Sequence, residues 1–309
     1  MTANDQLLSE LEESRCRFLA LVDDLRPDLH RYCTRMTGST IDGEDVVQDT
    51  LARAYYELPE LKEIPALRSW LFRIAHNRAL DYLRNYERRM SEPLDRVIDF
   101  AADETLEPDN AVARKEAISA ALWRFLELPP VQRSCVILKD VFDYSLEEIA
   151  GMLDLSVSAI KSALVRGRAN LREAGPTAPE RETDVRRRPI SPVLARYADL
   201  FNQRDWESIR AMLVDDVKLD LVSRLKRTGR LQVSNYFASY DSIDAWRLVP
   251  GRLEGREVLA VFLDPLDRQP SYFVQLTLNN DRVAVIRDFH YAPYVVREAT
   301  IELAVPARF

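Results

Sequence analysis

Cysteine and histidine are scarce in this sequence, with three of each in 309 residues. The cysteines form no C-x-x-C pair. All six residues are scattered along the chain: Cys16, Cys33, Cys135, His30, His76 and His290. Zinc sites and disulfide frameworks need these residues in close, paired spacings. We therefore expect no metal and no other cofactor, and we expect the thiols to be reduced and partly buried.

Long apolar runs and phosphate-binding loops are missing as well. No apolar run approaches the roughly 20 residues that cross a bilayer. The first residues, MTANDQLLSELEESRCRF, lack the basic-then-apolar order of a signal peptide. The eight glycines form no P-loop. The sequence predicts a cytoplasmic protein that makes no membrane contact and hydrolyses no nucleotide.

Charge is distributed unevenly, although the formal net charge is only −7. Residues 42–63 are acidic, whereas residues 68–89 and 161–172 are basic. Such blocks indicate more than one partner, at least one of them anionic. The simpler alternative is that each block is a solvated helix face.

The spacing of apolar residues divides the chain into five parts. Residues 14–90 and 112–174 repeat apolar positions every three or four residues, which predicts helices. Residues 91–111 lose this period, contain two prolines and are acidic, so they read as a linker. Residues 175–191 form a second linker, rich in proline and charge. Residues 192–309 form the fifth part.

This last part is predicted to be a single α+β domain. It opens with an amphipathic helix, PVLARYADLFNQRDWESIRAML. Three later stretches alternate and are rich in Val, Phe, Tyr and Leu, which predicts strands: REVLAVFLDP, PSYFVQLTLNN and DRVAVIRDFHY. Asn279, Asn280 and Asp281 separate the last two stretches and are typical of a hairpin turn.

Residues 145–172 have the pattern of two short helices joined by a tight turn. Ser145 and Glu148 form a capping box, Asp154 tolerates the left-handed conformation of the turn, and Ser156 can cap the second helix. Short polar residues near the start of such a helix suit base edges, and longer basic ones suit phosphates. The residues left facing outward are Ser158, Lys161, Ser162, Val165, Arg166, Arg168 and Arg172. The alternative is a packed helical hairpin with a solvated basic face.

Two separate motifs resemble the sigma-70 family, in the order and at the spacing of that family. The stretch LPPVQRSCVILKDVFDYSLEEIAGMLDLSVSAIKSALVRGRANLRE is similar to region 4, with Asp154 where the family usually has glycine. DGEDVVQDTLARAYY with RSWLFRIAHNRALDYLRNYERR resembles region 2 of the extracytoplasmic-function (ECF) class. The resemblance covers about residues 15–175 and implies two all-α domains.

The resemblance also implies a role for each surface. Asp45, Gln48 and Asp49 match the contact with the clamp helices of bacterial core RNA polymerase. Residues 58–67 correspond to the loop that captures an extruded promoter base. The residues that match the −10 surface are Arg73, Asn77, Arg78 and Arg84; those for the −35 element are Ser158, Lys161, Ser162, Arg166, Arg168 and Arg172. The acidic linker matches the segment that threads toward the polymerase active-site channel.

The fifth part contains an Asn-x-x-Asp-Trp helix motif, an Asp-Asp-Val-x-Leu-Asp strand entry and closing strands that resemble the SnoaL-like members of the nuclear-transport-factor-2-like cone fold. The resemblance implies a helix-lined, curved sheet that regulates the sigma domains in cis through an intramolecular contact, with an unknown small ligand as a candidate to bias it. A competing interpretation is a cone-fold isomerase or cyclase that uses a pocket carboxylate as its base. The candidate pocket residues are Asp220, Tyr236, Tyr240, Asp288, His290 and Tyr291.

For the whole protein, the resemblance implies an ECF sigma factor with a fused regulatory domain and no enzyme activity. It would direct core polymerase to specific promoters and open the −10 region. One alternative is a ligand-sensing, one-component helix-turn-helix regulator, which has no need of residues 42–89. Another is an enzyme with an accessory helical domain.

Overall fold

A computed structural model describes residues 13, 17–58, 67–91, 124–173, 189–238, 240, 245–264 and 266–304. These residues belong to two compact units, an N-terminal one up to residue 173 and a C-terminal one from residue 189. Three predicted segments lie wholly or mostly outside the described residues: the base-capturing loop and the two linkers. None of the described helices is both long enough and apolar enough to cross a membrane.

The first half of the N-terminal unit contains three long helices: α1 (Arg26–Thr37), α2 (Thr40–Glu57) and α3 (Leu67–Ser91). The α1 helix ends at Gly38, which has φ = 79°. The side chain of Ser39 then caps α2. A Cβ atom at Gly43 would lie 2.7 Å from Oγ1 of Thr34, so glycine there allows α1 and α2 to pack closely.

The second half of this unit is the predicted helical hairpin with one helix before it. Its helices are α4 (Pro130–Val136, continued by a π-helical turn Ile137–Val141), α5 (Leu146–Leu153) and α6 (Val157–Glu173). The capping box between Ser145 and Glu148 is formed, and Asp154 ends α5 in the left-handed conformation with φ = 55°. The hydroxyl of Ser156 accepts the N–H of Ala159 at 3.2 Å. The expected turn chemistry is therefore confirmed.

The two halves of the N-terminal unit share one core. Tyr32 on α1 has its hydroxyl 2.7 Å from Oγ of Ser134 on α4 and 3.0 Å from Nδ1 of His76 on α3. Edge-to-face contacts join Phe72 to Phe142 and Tyr144. This packing brings the region that resembles region 2 against the region that resembles region 4.

The C-terminal unit wraps helices against one seven-stranded sheet, as the α+β prediction requires. The helices are α7 (Pro192–Asn202), α8 (Trp206–Met212), α9 (Arg230–Ala238) and α10 (Pro293–Arg297). The strands are β1 (Leu213–Leu221), β2 (Leu225–Thr228), β3 (Arg247–Leu253), β4 (Arg256–Phe262), β5 (Tyr272–Asn279), β6 (Arg282–Asp288) and β7 (Ile301–Leu303). Their order in the sheet is β2-β1-β6-β5-β4-β3-β7, antiparallel except where β1 meets β6.

The predicted strands and hairpin are present in this sheet. Strands β4, β5 and β6 lie within the three alternating stretches of the sequence. Asn280 and Asp281 join β5 to β6 with φ values of 48° and 60°. Two successive positive φ angles define the mirror-image turn that matches the twist of a hairpin.

Candidate polymerase and promoter surfaces

The α2 helix presents an acidic face opposite its buried side. Val46, Val47 and Leu51 are buried in the core of the N-terminal unit. Asp49 is exposed, and Asp45 and Gln48 are half-buried at its edge. The side-chain nitrogen of Gln48 is buried without a hydrogen-bond partner. The three residues predicted to contact polymerase therefore share one side of α2.

Sequence reasoning missed a fourth residue on this side of α2. Tyr56 is 76% exposed and follows Asp49 by seven residues, which returns it to within about 20° of the same direction. Large exposed aromatic side chains are enriched at the centres of protein interfaces. The spacing of seven was the signal in the sequence that could have identified it.

The α3 helix separates its apolar and basic residues. Trp70, Leu71 and Ile74 are buried, so Trp70 packs in the core and offers no exposed ring for base stacking. The other side of α3 carries the residues that the resemblance assigns to the −10 surface: Arg73, Asn77, Arg78 and Arg84. Arg78 is half-buried and the other three are exposed.

One carboxylate organises two of these arginines. Oxygens of Asp81 lie 3.6 Å from Nη1 of Arg78 and 3.4 Å from Nη1 of Arg84. Ion pairs at exposed positions are weak, about 0 to 1 kcal/mol. They orient the two guanidinium groups without withdrawing them from an anionic partner.

The α6 helix places its predicted DNA contacts in solvent. Ile160, Ala163 and Leu164 are buried against the rest of the N-terminal unit. The predicted −35 residues are all exposed: Ser158, Lys161, Ser162, Arg166, Arg168 and Arg172.

Arg168 is held by an ion pair within the unit. Its guanidinium Nε and Nη2 donate to the two carboxylate oxygens of Asp140, and this hydrogen bonding raises the pKa of Arg168. Arg168 and Arg172 also line a cavity of about 340 Å³ with Arg124, Phe125 and Leu171. The C-terminal end of α6 therefore combines positive charge with apolar surface.

The described cysteines are inert. Cys33 and Cys135 are buried and free of disulfides. Burial raises the pKa of the Cys135 thiol to about 11 and that of Cys33 well above its usual value. Within the described part of the chain, no group of three or more His, Cys, Asp and Glu side chains is suited to hold a metal ion.

The C-terminal unit gathers three of the predicted pocket residues around the carboxyl group of a fourth. Tyr236 donates to Oδ2 of Asp288 at 2.6 Å, and Tyr240 donates to the same oxygen at 3.1 Å. The backbone N–H of His290 donates to Oδ1 at 2.8 Å. Asp288 is 1% exposed. Burial raises its pKa, and the phenol hydrogen bonds oppose that shift.

Aromatic rings surround this carboxyl group closely. Tyr240 contacts Tyr236 and Trp246 with ring centroids 5.0 and 5.1 Å apart. Burial raises the pKa of the phenols of Tyr236 and Tyr240. The imidazole of His290 packs 4.7 Å from the ring of Tyr291, and its Nδ1 is buried without a hydrogen-bond partner.

Asp220, the remaining predicted pocket residue, lies apart from this cluster. It is paired across the strands with Arg287, whereas Leu221 is paired with Asp288. Because successive side chains on a strand point to opposite faces, Asp220 and Asp288 lie on opposite faces of the sheet. Asp220 instead pairs with Arg287 and Lys226, at 3.5 and 3.6 Å.

Comparison with known families places both helical regions. Residues 21–89 match the model of sigma-70 region 2, and residues 124–171 match the model of sigma-70 region 4. The ECF RNA polymerase sigma factor SigG of Mycobacterium tuberculosis is 32% identical over 223 residues, covering 64% of this chain. This chain covers only 59% of the length of SigG. SigW of Bacillus subtilis is 30% identical over 164 residues, which are 50% of this chain and 87% of SigW.

Solved structures give two further similarities. The ECF sigma factor SigJ of M. tuberculosis is 19% identical, with 87% of this chain and 95% of that chain covered and a TM-score of 0.35. A putative ketosteroid isomerase from Kribbella flavida is 30% identical over 31% of this chain and 73% of that chain, with a TM-score of 0.26. On the strength of its region 2 and region 4 matches and of its identity with SigW, this chain belongs to the extracytoplasmic-function class of the sigma-70 family.

Proposed function

We propose that this chain directs bacterial core RNA polymerase to specific promoters and opens the −10 region. The observation that carries the proposal is the separation of charge on the N-terminal unit. One side of α2 carries Asp45 and Asp49, whereas α3 and α6 expose arginine and lysine. Acidic groups would meet a basic surface on polymerase, and the cationic groups would meet promoter DNA.

In this mechanism promoter opening draws on binding energy alone. The α6 helix holds the −35 element, and the side chains on α3 hold the −10 strand through its backbone charge. Extruding a base costs a few kcal/mol, which contacts to the single strand offset. The chain itself would be non-enzymatic and would act in the cytoplasm, where polymerase and DNA are found.

The docking surface has a direct test. Asp45→Arg combined with Asp49→Arg should abolish co-purification with core polymerase, because like charges would then face each other across the interface. Asp23→Arg with Asp24→Arg is the matched control, since it reverses two exposed carboxylates elsewhere on the unit. Equal retention of both double variants on immobilised polymerase would refute the docking assignment.

A one-component regulator is the main alternative for the whole protein. Such a regulator needs a reading helix and a ligand domain, but it has no use for region 2. The region 2 match over residues 21–89 therefore favours the sigma factor. The alternative predicts tight, polymerase-independent binding to a palindromic site.

For the C-terminal unit we favour regulation in cis over catalysis. A general base needs an oxygen that faces its substrate. In Asp288 both oxygens already accept hydrogen bonds, from Tyr236 and Tyr240 on one side and from the backbone of His290 on the other. This arrangement is typical of a buried structural network. Regulation in cis would require the C-terminal unit to contact the sigma domains. That contact would form either at all times or only when a ligand is bound or absent.

Removing the C-terminal unit tests that choice. Holoenzyme assembled with residues 1–175 should differ from full-length holoenzyme in transcript yield from the same promoters. Isolated full-length chain should show no turnover of carbonyl substrates. Identical transcription by both forms, together with turnover that Asp288→Asn removes, would reverse the assignment.

A further inference from the structure

The recognition helix α6 exposes one large apolar side chain among its polar ones. Val165 is 71% exposed. By contrast, Ile160 and Leu164 on the same helix are 0% and 5% exposed. Packing within the unit therefore accounts for the other branched apolar residues of α6, but it does not account for Val165.

Val165 lies at the centre of the predicted DNA face. With 3.6 residues per turn, each residue advances by about 100° around the helix. Relative to Ser158, this places Val165 at about −20°, Lys161 at about −60° and Ser162 at about +40°. Val165 is thus flanked by Lys161 and Ser162, two of the residues predicted to contact the −35 element.

Two of the three arginines lie at the margins of the same face, and the third, Arg172, falls at about −40° two turns beyond Val165. Arg166 falls at about +80° and Arg168 at about −80° from Ser158. Asp140 holds the guanidinium group of Arg168 at that margin. Long cationic side chains on both edges suit the phosphates on the two walls of a groove, so the centre of the face points toward its floor.

The floor of the major groove offers one distinctive apolar group, the C5 methyl of thymine. A valine side chain makes no hydrogen bonds, and pressing it on a polar base edge leaves that edge unpaired. As a β-branched residue it is stiff about χ1, so its methyl groups are presented in a fixed direction. We propose that Val165 reads a thymine methyl group in the −35 element; this rests on the proposed function of α6 as the −35 reading helix.

Single exposed apolar residues also occur on proteins for no functional reason. The chain supplies a control for that case, because Val131 on α4 is 41% exposed and lies outside the predicted DNA contacts. If Val165 is an incidental surface residue, replacing it should affect promoter binding no more than replacing Val131 does.

The test deletes single methyl groups from the DNA. Holoenzyme containing the full chain first selects its −35 element from a randomised duplex pool. Each thymine of the selected element is then replaced, one at a time, by deoxyuridine, which keeps base pairing and removes only the methyl. The dissociation constant of each duplex is measured with the wild type, Val165→Ala, Val165→Thr and Val131→Ala.

With the wild type and with Val131→Ala, one deoxyuridine substitution should weaken binding about threefold to tenfold, as expected for an apolar group of this size. With Val165→Ala the same substitution should change binding less than twofold. Val165→Thr keeps the shape and exchanges one methyl for a hydroxyl, so its sensitivity should fall between the two. Since Val165 is exposed, neither substitution should unfold the unit.

Three results would overturn the proposal: a selected element without thymine, no effect of any methyl deletion on the wild type, or equal effects on the wild type and Val165→Ala. Lys161→Ala separates this failure from failure of the proposed function. If Lys161→Ala weakens promoter binding while the methyl effects stay equal, only the role of Val165 is wrong. If Lys161→Ala changes nothing, α6 is not the −35 reader.

Discussion

At the scale of single residues, Arg133 shows how one buried side chain joins distant parts of the N-terminal unit. It is 5% exposed. Its guanidinium group donates to the carbonyl of Met36 at 2.5 Å, to that of Leu126 at 2.7 Å and to that of Leu128 at 3.0 Å. These partners explain why the position holds an arginine, because no neutral side chain could satisfy three buried carbonyls at once.

Arg133→Leu should therefore be severely destabilising. The substitution keeps an apolar stem but leaves buried carbonyl groups without donors, at a cost of about 3 kcal/mol in the free energy of unfolding. Urea titration followed by helical ellipticity measures the change. Arg166→Leu is the control, since Arg166 is exposed. A loss of similar size in both variants would show that the carbonyl contacts of Arg133 contribute little.

At the scale of elements, local chemistry could be predicted and long-range contacts could not. The capping box of Ser145 and the hairpin turn at Asn280 depend on neighbours within three residues, so the sequence identifies them directly. The hydrogen bond between Tyr32 and Ser134 joins residues 102 positions apart. Apolar periodicity shows that α1 and α4 each bury one face, but it does not show that they bury it against each other.

The same limit applies to the C-terminal unit. Tyr236, Tyr240 and Asp288 were recognised as candidates from their residue types, yet their convergence depends on how α9 packs against the sheet. Asp220 was grouped with them for the same reason. Only the pairing of β1 with β6 shows that Asp220 faces the other side of the sheet.

The packing of α1 against α3 predicts a dependence of stability on pH. Burial lowers the pKa of His76 to about 4, whereas an unfolded chain has a histidine pKa near 6.5. As the pH falls, the unfolded state therefore binds a proton at His76 before the folded state does. The contribution of neutral His76 to stability is complete above about pH 6.5 and is lost as the pH falls toward 4. The full effect is about 3 kcal/mol.

Denaturant titrations of the wild type at pH 6.5 and pH 4.5 should show this loss. His76→Gln can still hydrogen-bond to Tyr32 but does not titrate, so it should lose less stability over the same interval. The comparison between the two proteins isolates His76 from the carboxylates that also titrate in acid. If the wild type and His76→Gln show the same pH dependence, His76 is protonated equally in the folded and unfolded states, and the prediction is wrong.

At the scale of the whole molecule, the proposed function requires an acidic chain to act on DNA, which segregated charge would allow. The net charge of −7 opposes unaided association with a polyanion. The arginines and lysines that would face the promoter lie on α3 and α6, whereas the carboxylates that would face polymerase lie on α2. Recognition of the promoter and opening of its −10 region would therefore both require polymerase.

Promoter opening by the purified components tests that requirement most directly. Permanganate reactivity of thymines near −10 would be measured on a promoter selected by holoenzyme, with the chain alone, with core polymerase alone and with both. We predict reactive thymines only when both are present, and none with Asp45→Arg and Asp49→Arg. Tight binding of the isolated chain to the duplex, with no reactive thymines after polymerase is added, would contradict the account.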